Sequence, residues 1–251
     1  MKITLAQISP KLNRENLKTH LEIISKHKES SDLIIFPELS LNGYLLMDLV
    51  FEDAFELNEL DELKEASFDI DILIGLALRE ESKIYNSSIY FKNGKIEHIH
   101  NKTTLPNYGM FEEARYFFKG EGIESFKIDN IKATTLICED LWNSENIDRV
   151  VKLNPDIVFV LANSPARGFE KELDIEQKWE SLLKTLSILT GSYVLFVNRV
   201  GFEDGVGFWG GSSVIAPTSK TIKKAKLFDG EIFTVRIEPE LVQKEKYFLR
   251  G

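Results

Sequence analysis

Four runs of this chain are apolar at every position beyond their first residue: Asp32 to Phe36, Asp71 to Leu78, Asp156 to Leu161 and Tyr193 to Val197. Successive side chains of a strand point to opposite faces, so such strands must be covered on both sides. Helix-period stretches lie between them, Asn13 to about Lys28 with Leu17, Leu21 and Ile24 inward, and Ile175 to Leu189. A strand from Met1 to Gln7 carries Ile3 and Leu5, and Ser87–Phe91 with Lys95–His100 reads as a hairpin around Asn93-Gly94. Shorter strands follow at Ser125–Ile128, Ala133–Ile137 and Val214–Ala216, then within Thr221–Ile237 around Asp229-Gly230. The pattern predicts an α/β protein of sheets covered by helices. Asp48 to about Ala66 reads as acidic and weakly helical, and Gly201 to Gly211 as glycine-rich turns. The tail, Leu241 to Gly251, is too polar to fold without docking elsewhere.

At 251 residues the chain reads as a single domain over 1–251 with a sizeable core. Its net charge of −9 repels phosphate backbones and no basic face is interleaved with aromatics, so no nucleic-acid partner is expected. No apolar run approaches the roughly 20 residues that span a bilayer. One cysteine excludes an internal disulfide and fits a reducing compartment. A cytoplasmic protein with no membrane contact is expected.

Three stretches carry chemistry. In Lys132 to Trp142, K-A-T-T-L-I-C-E-D-L-W, an apolar strand runs directly into Cys138. A helix follows, with Ser144 as its expected cap and Ile147, Val150 and Val151 at helical spacing. Strand, turn and helix lift a nucleophile toward a cleft, although a free cysteine at a strand end also serves as a small buried hydrophobe. Glu38, in Phe36-Pro37-Glu38-Leu39, lies just beyond a buried strand, where desolvation suits a general base and where a helix cap or loop salt bridge is the ordinary alternative. Lys102 follows the hairpin and opens the long aromatic loop Thr103 to Gly122; most lysines at such places are solvated.

Taken together, these stretches resemble the glutamate, lysine and cysteine motifs of the nitrilase (carbon–nitrogen hydrolase) superfamily. The match rests on Phe36-Pro37-Glu38-Leu39 with Gly43-Tyr44, on Lys102 with Leu105-Pro106, and on Ile137-Cys138-Glu139-Asp140, and it extends to Gly210-Gly211-Ser212-Ser213. The loop from Lys102 to Tyr116 and the I-C-E-D-L-W stretch look closest to the glutaminase-like domain of glutamine-dependent NAD synthetases. The resemblance implies a four-layer αββα sandwich and an amidase that needs no metal and no organic cofactor. It implies Cys138 as nucleophile, Glu38 as base, and Lys102 with the Glu139 backbone N–H as oxyanion donors. A second family glutamate falls by spacing on Glu113, with Glu112 as the alternative. On the same footing Tyr108, Glu139, Trp142 and Ser164 contact the substrate. Lys102 is expected to lower the thiol pKa of Cys138.

Two departures qualify this. No arginine is placed for a substrate α-carboxylate, Arg167 standing too close to Ser164, and no S-G-G-x-D-S-like ATP pyrophosphatase loop is present, so complete NAD synthesis is not expected. The expected activity is hydrolysis of a small linear carboxamide through a Cys thioester, releasing ammonia and an acid. The alternatives are an ammonia-supplying glutaminase subunit working with a separate synthetase, and an N-carbamoyl amine amidohydrolase. A homodimer or higher homo-oligomer is expected from the family and from the tail. His20 and His27 read as solvent-facing, whereas His98 and His100 share a strand face, a weak metal pair.

Overall fold

The apolar strands are apolar throughout because their two faces enter two different cores. The structure, a computed structural model, describes residues 1–166 and 174–249. Its first half runs β1 (Lys2–Gln7), α1 (Asn16–His27), β2 (Leu33–Ile35), α2 (Val50–Asp53), α3 (Asp61–Ala66), β3 (Asp71–Glu80), β4 (Lys83–Lys92), β5 (Lys95–Asn101) and the short α4 (Glu113–Tyr116). The second runs β6 (Ser125–Ile128), β7 (Ile131–Ile137), α5 (Ser144–Leu153), β8 (Ile157–Ala162), α6 (Asp174–Thr190), β9 (Tyr193–Asn198), β10 (Val200–Glu203), β11 (Val206–Trp209), β12 (Ser213–Ile215), β13 (Thr221–Lys224), β14 (Glu231–Arg236) and α7 (Pro239–Leu249).

Two six-stranded sheets result, ordered β14-β1-β2-β3-β4-β5 and β13-β12-β9-β8-β7-β6. Each has three parallel strands at its centre, β1-β2-β3 and β7-β8-β9, flanked by antiparallel neighbours. Leu33 and Ile35 of β2 and Phe159 and Leu161 of β8 meet in the core between the sheets. The alternate residue Ile34 packs outward with Ile24 of α1 and Leu63 of α3. On the other side Val158, Val160 and Phe196 pack outward with Val150 of α5 and Trp179, Leu183 and Leu186 of α6. Helix, sheet, sheet, helix is the four-layer αββα order expected.

Several local expectations change. Asp48 to Ala66 is weakly helical as expected, but broken into short pieces, among them α2 and α3, with Ala54 extended between them. Gly201 to Gly211 is not a run of turns: β10 and β11 pair as a separate antiparallel ribbon. Asn143, not Ser144, caps α5, its side-chain oxygen accepting from the Glu145 N–H. His20 is buried against Phe36 and bonded to the Asn16 carbonyl, and burial lowers its pKa to about 4. The tail helix docks on its own chain: Val242 enters the inter-sheet core, and the Lys246 ammonium donates to the Asn154 carbonyl and to Asp156. Within residues 241–249 the tail is therefore no argument for a dimer. Among the described residues no helix is long and apolar enough to cross a membrane.

One glycine of β3 shows how tightly the layers set the turn after β2. A Cβ on Gly75 would stand 2.5 Å from the Pro37 carbonyl oxygen, 2.6 Å from the Leu39 nitrogen and 2.7 Å from the Glu38 Cα. All three are backbone atoms and cannot swing aside. Gly75→Ala is expected to destabilise the fold by about 2 kcal/mol through overpacking, read as a lower urea midpoint. It also displaces Glu38, so activity falls further than the loss of folded protein accounts for. An unchanged midpoint would contradict the contact.

Candidate active site

The ends of the parallel strands converge. Glu38 follows β2, Cys138 follows β7, Asn163 follows β8 and Lys102 follows β5. In layered α/β folds this carboxyl edge is where groups from different strands gather. The loop between β2 and α2 is pinned by Asn42, whose side chain accepts from the Ala77 N–H and donates to the Asp53 carbonyl.

At the centre is a buried ammonium between two buried carboxylates. Lys102 Nζ donates to Glu38 Oε1 at 2.7 Å and to Glu113 Oε1 at 2.9 Å, and lies 2.8 Å from Glu113 Oε2. Glu38 Oε1 also accepts from the Asn86 side-chain amide, and Oε2 from the Asn163 backbone N–H, each at 2.8 Å. The Asn163 side chain donates to the Glu38 carbonyl. Glu113 Oε1 accepts from the Tyr44 hydroxyl at 2.8 Å. Burial works against the charge on Lys102, but Glu113 and Glu38 outweigh it and hold its pKa well above that of an ordinary lysine. Burial raises Glu113 to about 7, with Glu38 adding to the rise and Lys102 opposing it.

Cys138 takes φ +46° at the start of a 3-10 turn, Cys138–Trp142, that follows β7 directly. A non-glycine residue held in this left-handed region stores strain, and such strain gathers at functional sites. Lys102 does act to lower the thiol pKa, as expected, but it is outweighed and the net shift is upward. Burial and Glu38 push the thiol well above its usual value, Glu113 and Glu139 add to this, and Lys102 alone opposes them. One ammonium cannot outweigh the neighbouring carboxylates in a desolvated site, so the resting thiol is neutral.

Asp140, which the sequence shows only as the end of the Ile137-Cys138-Glu139-Asp140 motif, is a structural centre of the site. Its carboxylate is fully buried and receives five hydrogen bonds, from the Ile137, Thr103 and Thr104 backbone N–H groups, the Thr103 hydroxyl and His100 Nε2. It thus splints the turn before Cys138 to the strand and loop on either side of Lys102. Burial favours its neutral form, but His100, the Ile137 N–H and Thr103 more than offset this and lower its pKa. His100 is engaged here and His98 stacks on Phe126 at 4.5 Å, so the strand face offers no paired metal ligands; no metal-binding cluster occurs among the described residues. Asn86, within β4, and Asn163, just beyond β8, have nothing in their own segments to mark them for the site.

The expected substrate contacts are distributed unevenly. Tyr108 is half-exposed and its hydroxyl donates to both Glu139 carboxylate oxygens, at 2.9 and 3.0 Å. Trp142 is part-exposed and stands edge-on to Trp179, with ring centroids 5.5 Å apart. Ser164 is buried, and its hydroxyl oxygen accepts from the indole N–H groups of Trp179 and Trp209. It holds together the aromatic wall beneath Trp142. Glu112 pairs at the surface with Arg115 and does not reach Lys102. Arg167 lies outside the described residues.

Two outcomes follow from this geometry. Alkylation of Cys138 by iodoacetamide should require higher pH than for an exposed thiol; Glu113→Gln should move the rate profile down in pH and Lys102→Met up. A wild-type profile already below the ordinary thiol range would refute the neutral resting thiol. Asp140→Asn should cost about 3 kcal/mol in urea unfolding, since it leaves a buried donor network short of acceptors. Because the folded pKa is depressed, this stabilisation is complete above the ordinary aspartate range and is lost as pH falls through the lowered folded value. The gap between wild type and variant should therefore close toward low pH.

The sequence model of the carbon–nitrogen hydrolase family matches residues 2–247. The glutamine-dependent NAD(+) synthetase of Thermotoga maritima is 32% identical over 246 residues, covering 95% of this chain and 42% of that protein. Among solved structures, a glutamine-dependent NAD+ synthetase from Acinetobacter baumannii superposes with TM-score 0.80 at 33% identity, over 93% of this chain and 44% of that one. A CN-hydrolase superfamily protein from Xanthomonas campestris shares the fold at TM-score 0.88 and 19% identity, over 100% and 95% of the two chains. The chain spans less than half the length of the two synthetases. With a family match over nearly its whole length and a buried Glu-Lys-Glu cluster at its strand ends, this chain belongs to the carbon–nitrogen hydrolase family.

Proposed function

We propose that the protein hydrolyses a small linear carboxamide through a thioester on Cys138, releasing ammonia and a carboxylic acid. The observation that supports this most directly is the Lys102 ammonium held between Glu38 and Glu113, beside a cysteine in a left-handed turn. Glu38 Oε1 and Oε2 are fixed by Asn86, Lys102 and the Asn163 N–H, so its carboxylate is oriented before substrate arrives. As the sulfur attacks the amide carbon, its proton passes to Glu38, which explains how a neutral thiol becomes a nucleophile. The amide oxygen gains negative charge. Lys102 has three N–H bonds, two of them directed at Glu38 and Glu113; the third, with the Glu139 backbone N–H, serves the oxyanion. Glu38 returns the proton to the departing nitrogen, the C–N bond breaks and the thioester remains. Glu38 then deprotonates a water, which attacks the thioester carbon. Collapse releases the acid, and the proton restores the thiol.

Glutamine heads the candidate amides. The Glu139 carboxylate, next to the nucleophile and aligned by Tyr108, offers a place for a substrate ammonium group. The synthetase relatives are named as glutamine-dependent, and this chain corresponds to less than half of each. On that basis a reading as the ammonia-supplying partner of a separate synthetase stands second.

A panel of short carboxamides assayed for ammonia, with and without an amino group, tests the proposal. Cys138→Ala should release none. Glu38→Gln should lose about 10²–10⁴ in turnover while keeping its fold; retention of more than about a tenth would remove Glu38 as the base. Glu139→Gln should raise KM for glutamine about tenfold and leave neutral amides unaffected, the loss of one charge-assisted contact. A strong preference for N-carbamoyl amines, releasing carbon dioxide with ammonia, would sink the carboxamide reading.

A further inference from the structure

Tyr44 stands six residues beyond Glu38, and its surroundings link the catalytic lysine to a part of the fold that belongs to neither large sheet. Its hydroxyl donates to Glu113 Oε1 at 2.8 Å, and its backbone N–H, with that of Leu45, donates to Glu203 Oε1, both at 2.8 Å. Glu203 ends β10 and is itself locked: its other oxygen accepts from Arg199 Nη1 at 2.9 Å. Arg199 is fully buried, donates through Nη2 to the Pro10 carbonyl at 3.0 Å, and lies over the Phe208 ring at 4.3 Å. Phe208, on β11, meets the Tyr44 ring edge-on at 6.1 Å. Gly43 completes the fit, since a Cβ there would stand 2.9 Å from Glu203 Oε2.

A buried ion pair is retained at a desolvation penalty, and this one does not touch the reacting groups. What it does hold is the backbone of Tyr44. Resting on the amidase reading above, we propose that Tyr44 is a positioning residue for Glu113, and that Glu203, locked by Arg199, is what fixes Tyr44. The β10–β11 ribbon is thereby part of the device that orients Lys102.

The groups facing Glu113 are Lys102 from the end of β5, Glu38 from beyond β2, Tyr44 from the following loop, and Cys138 from the end of β7. Lys102 and the Tyr44 hydroxyl favour the ionised carboxylate, whereas burial and Glu38 favour the neutral one. Removing the hydroxyl therefore raises the Glu113 pKa further above about 7. A neutral Glu113 no longer anchors the ammonium by charge, so the acid limb of turnover moves to higher pH.

The test combines a carbon-detected NMR titration of the side-chain carboxyls with the pH profile of kcat/KM. The Glu113 signal is assigned by its loss in Glu113→Gln. Tyr44→Phe keeps the ring and removes one hydrogen bond. It should raise the Glu113 midpoint by about one pH unit, the size expected for one donor to a buried charge. The acid limb should move with it, and turnover at high pH should recover to within a few-fold of wild type. Glu203→Gln, which cannot accept from Arg199 and both backbone N–H groups as a carboxylate does, should shift both in the same direction by less. If Tyr44→Phe does not fold, Glu203→Gln decides the question by the same readouts. A Glu113 midpoint unmoved in the variant overturns the proposal, as does a moved midpoint with an unmoved acid limb. Wild-type protein that turns over no amide defeats the amidase reading instead; the titration then still decides whether Tyr44 sets Glu113.

Discussion

Burying the Lys102 ammonium is the constraint on which the rest of the site depends. A lone ammonium taken from water into this interior loses several kcal/mol of hydration, and only close opposite charge with satisfied hydrogen bonds offsets it. Glu38 and Glu113 supply that charge. Two carboxylates around one cation leave an excess of negative charge, which adds to the effect of burial on two neighbours. Burial, with Glu38 and Glu113, pushes the Cys138 thiol well above its usual pKa, and burial, with Glu38, raises Glu113 to about 7. Under the proposed mechanism the nucleophile is then activated during attack, by transfer to a fixed carboxylate, rather than stored as a thiolate.

Holding three charged groups in register requires that their backbones not drift. The two sheets do this with strands that are apolar on both faces, one face packed in the inter-sheet core and the other under the helices, so that neither sheet can slide without opening a packed surface. Local splints finish the work. Gly75 lets the turn of Glu38 lie directly against β3, Asn163 ties β8 to Glu38 by two hydrogen bonds, and Asp140 joins the Cys138 turn to the segments flanking Lys102. Each uses backbone N–H groups or backbone contact, which are less mobile than side chains. The strained φ of Cys138 is tolerated because Asp140 holds the preceding N–H from within the turn.

The mouth of the site is differently made. Tyr108, Glu139 and Trp142 are part-exposed, bonded to one another or resting on buried aromatics. Ser164 is inside, engaged by two indoles. This division places the buried, multiply bonded groups around Lys102 and the exposed side chains at the edge of the site.

By itself the sequence determined the layered α/β class, because strands apolar on both faces have no other stable setting, and it determined the Glu38, Lys102 and Cys138 stretches, because their neighbours and order are distinctive along the chain. It also placed the Asn93-Gly94 turn, where both residues take positive φ. Glu113 was reached by spacing from Lys102. What it did not carry was every property that arises from groups distant in the chain. Asp140, Asn86, Asn163 and Glu203 read as ordinary polar residues until folding sets them against their partners. The net direction of the Cys138 shift differs from expectation for the same reason: the family resemblance puts Lys102 beside it, whereas the tertiary structure surrounds it with carboxylates as well. Periodicity and motifs report what a residue's own segment will do. Electrostatics in a desolvated site depends on distances across the fold, and those exist only once both sheets have packed.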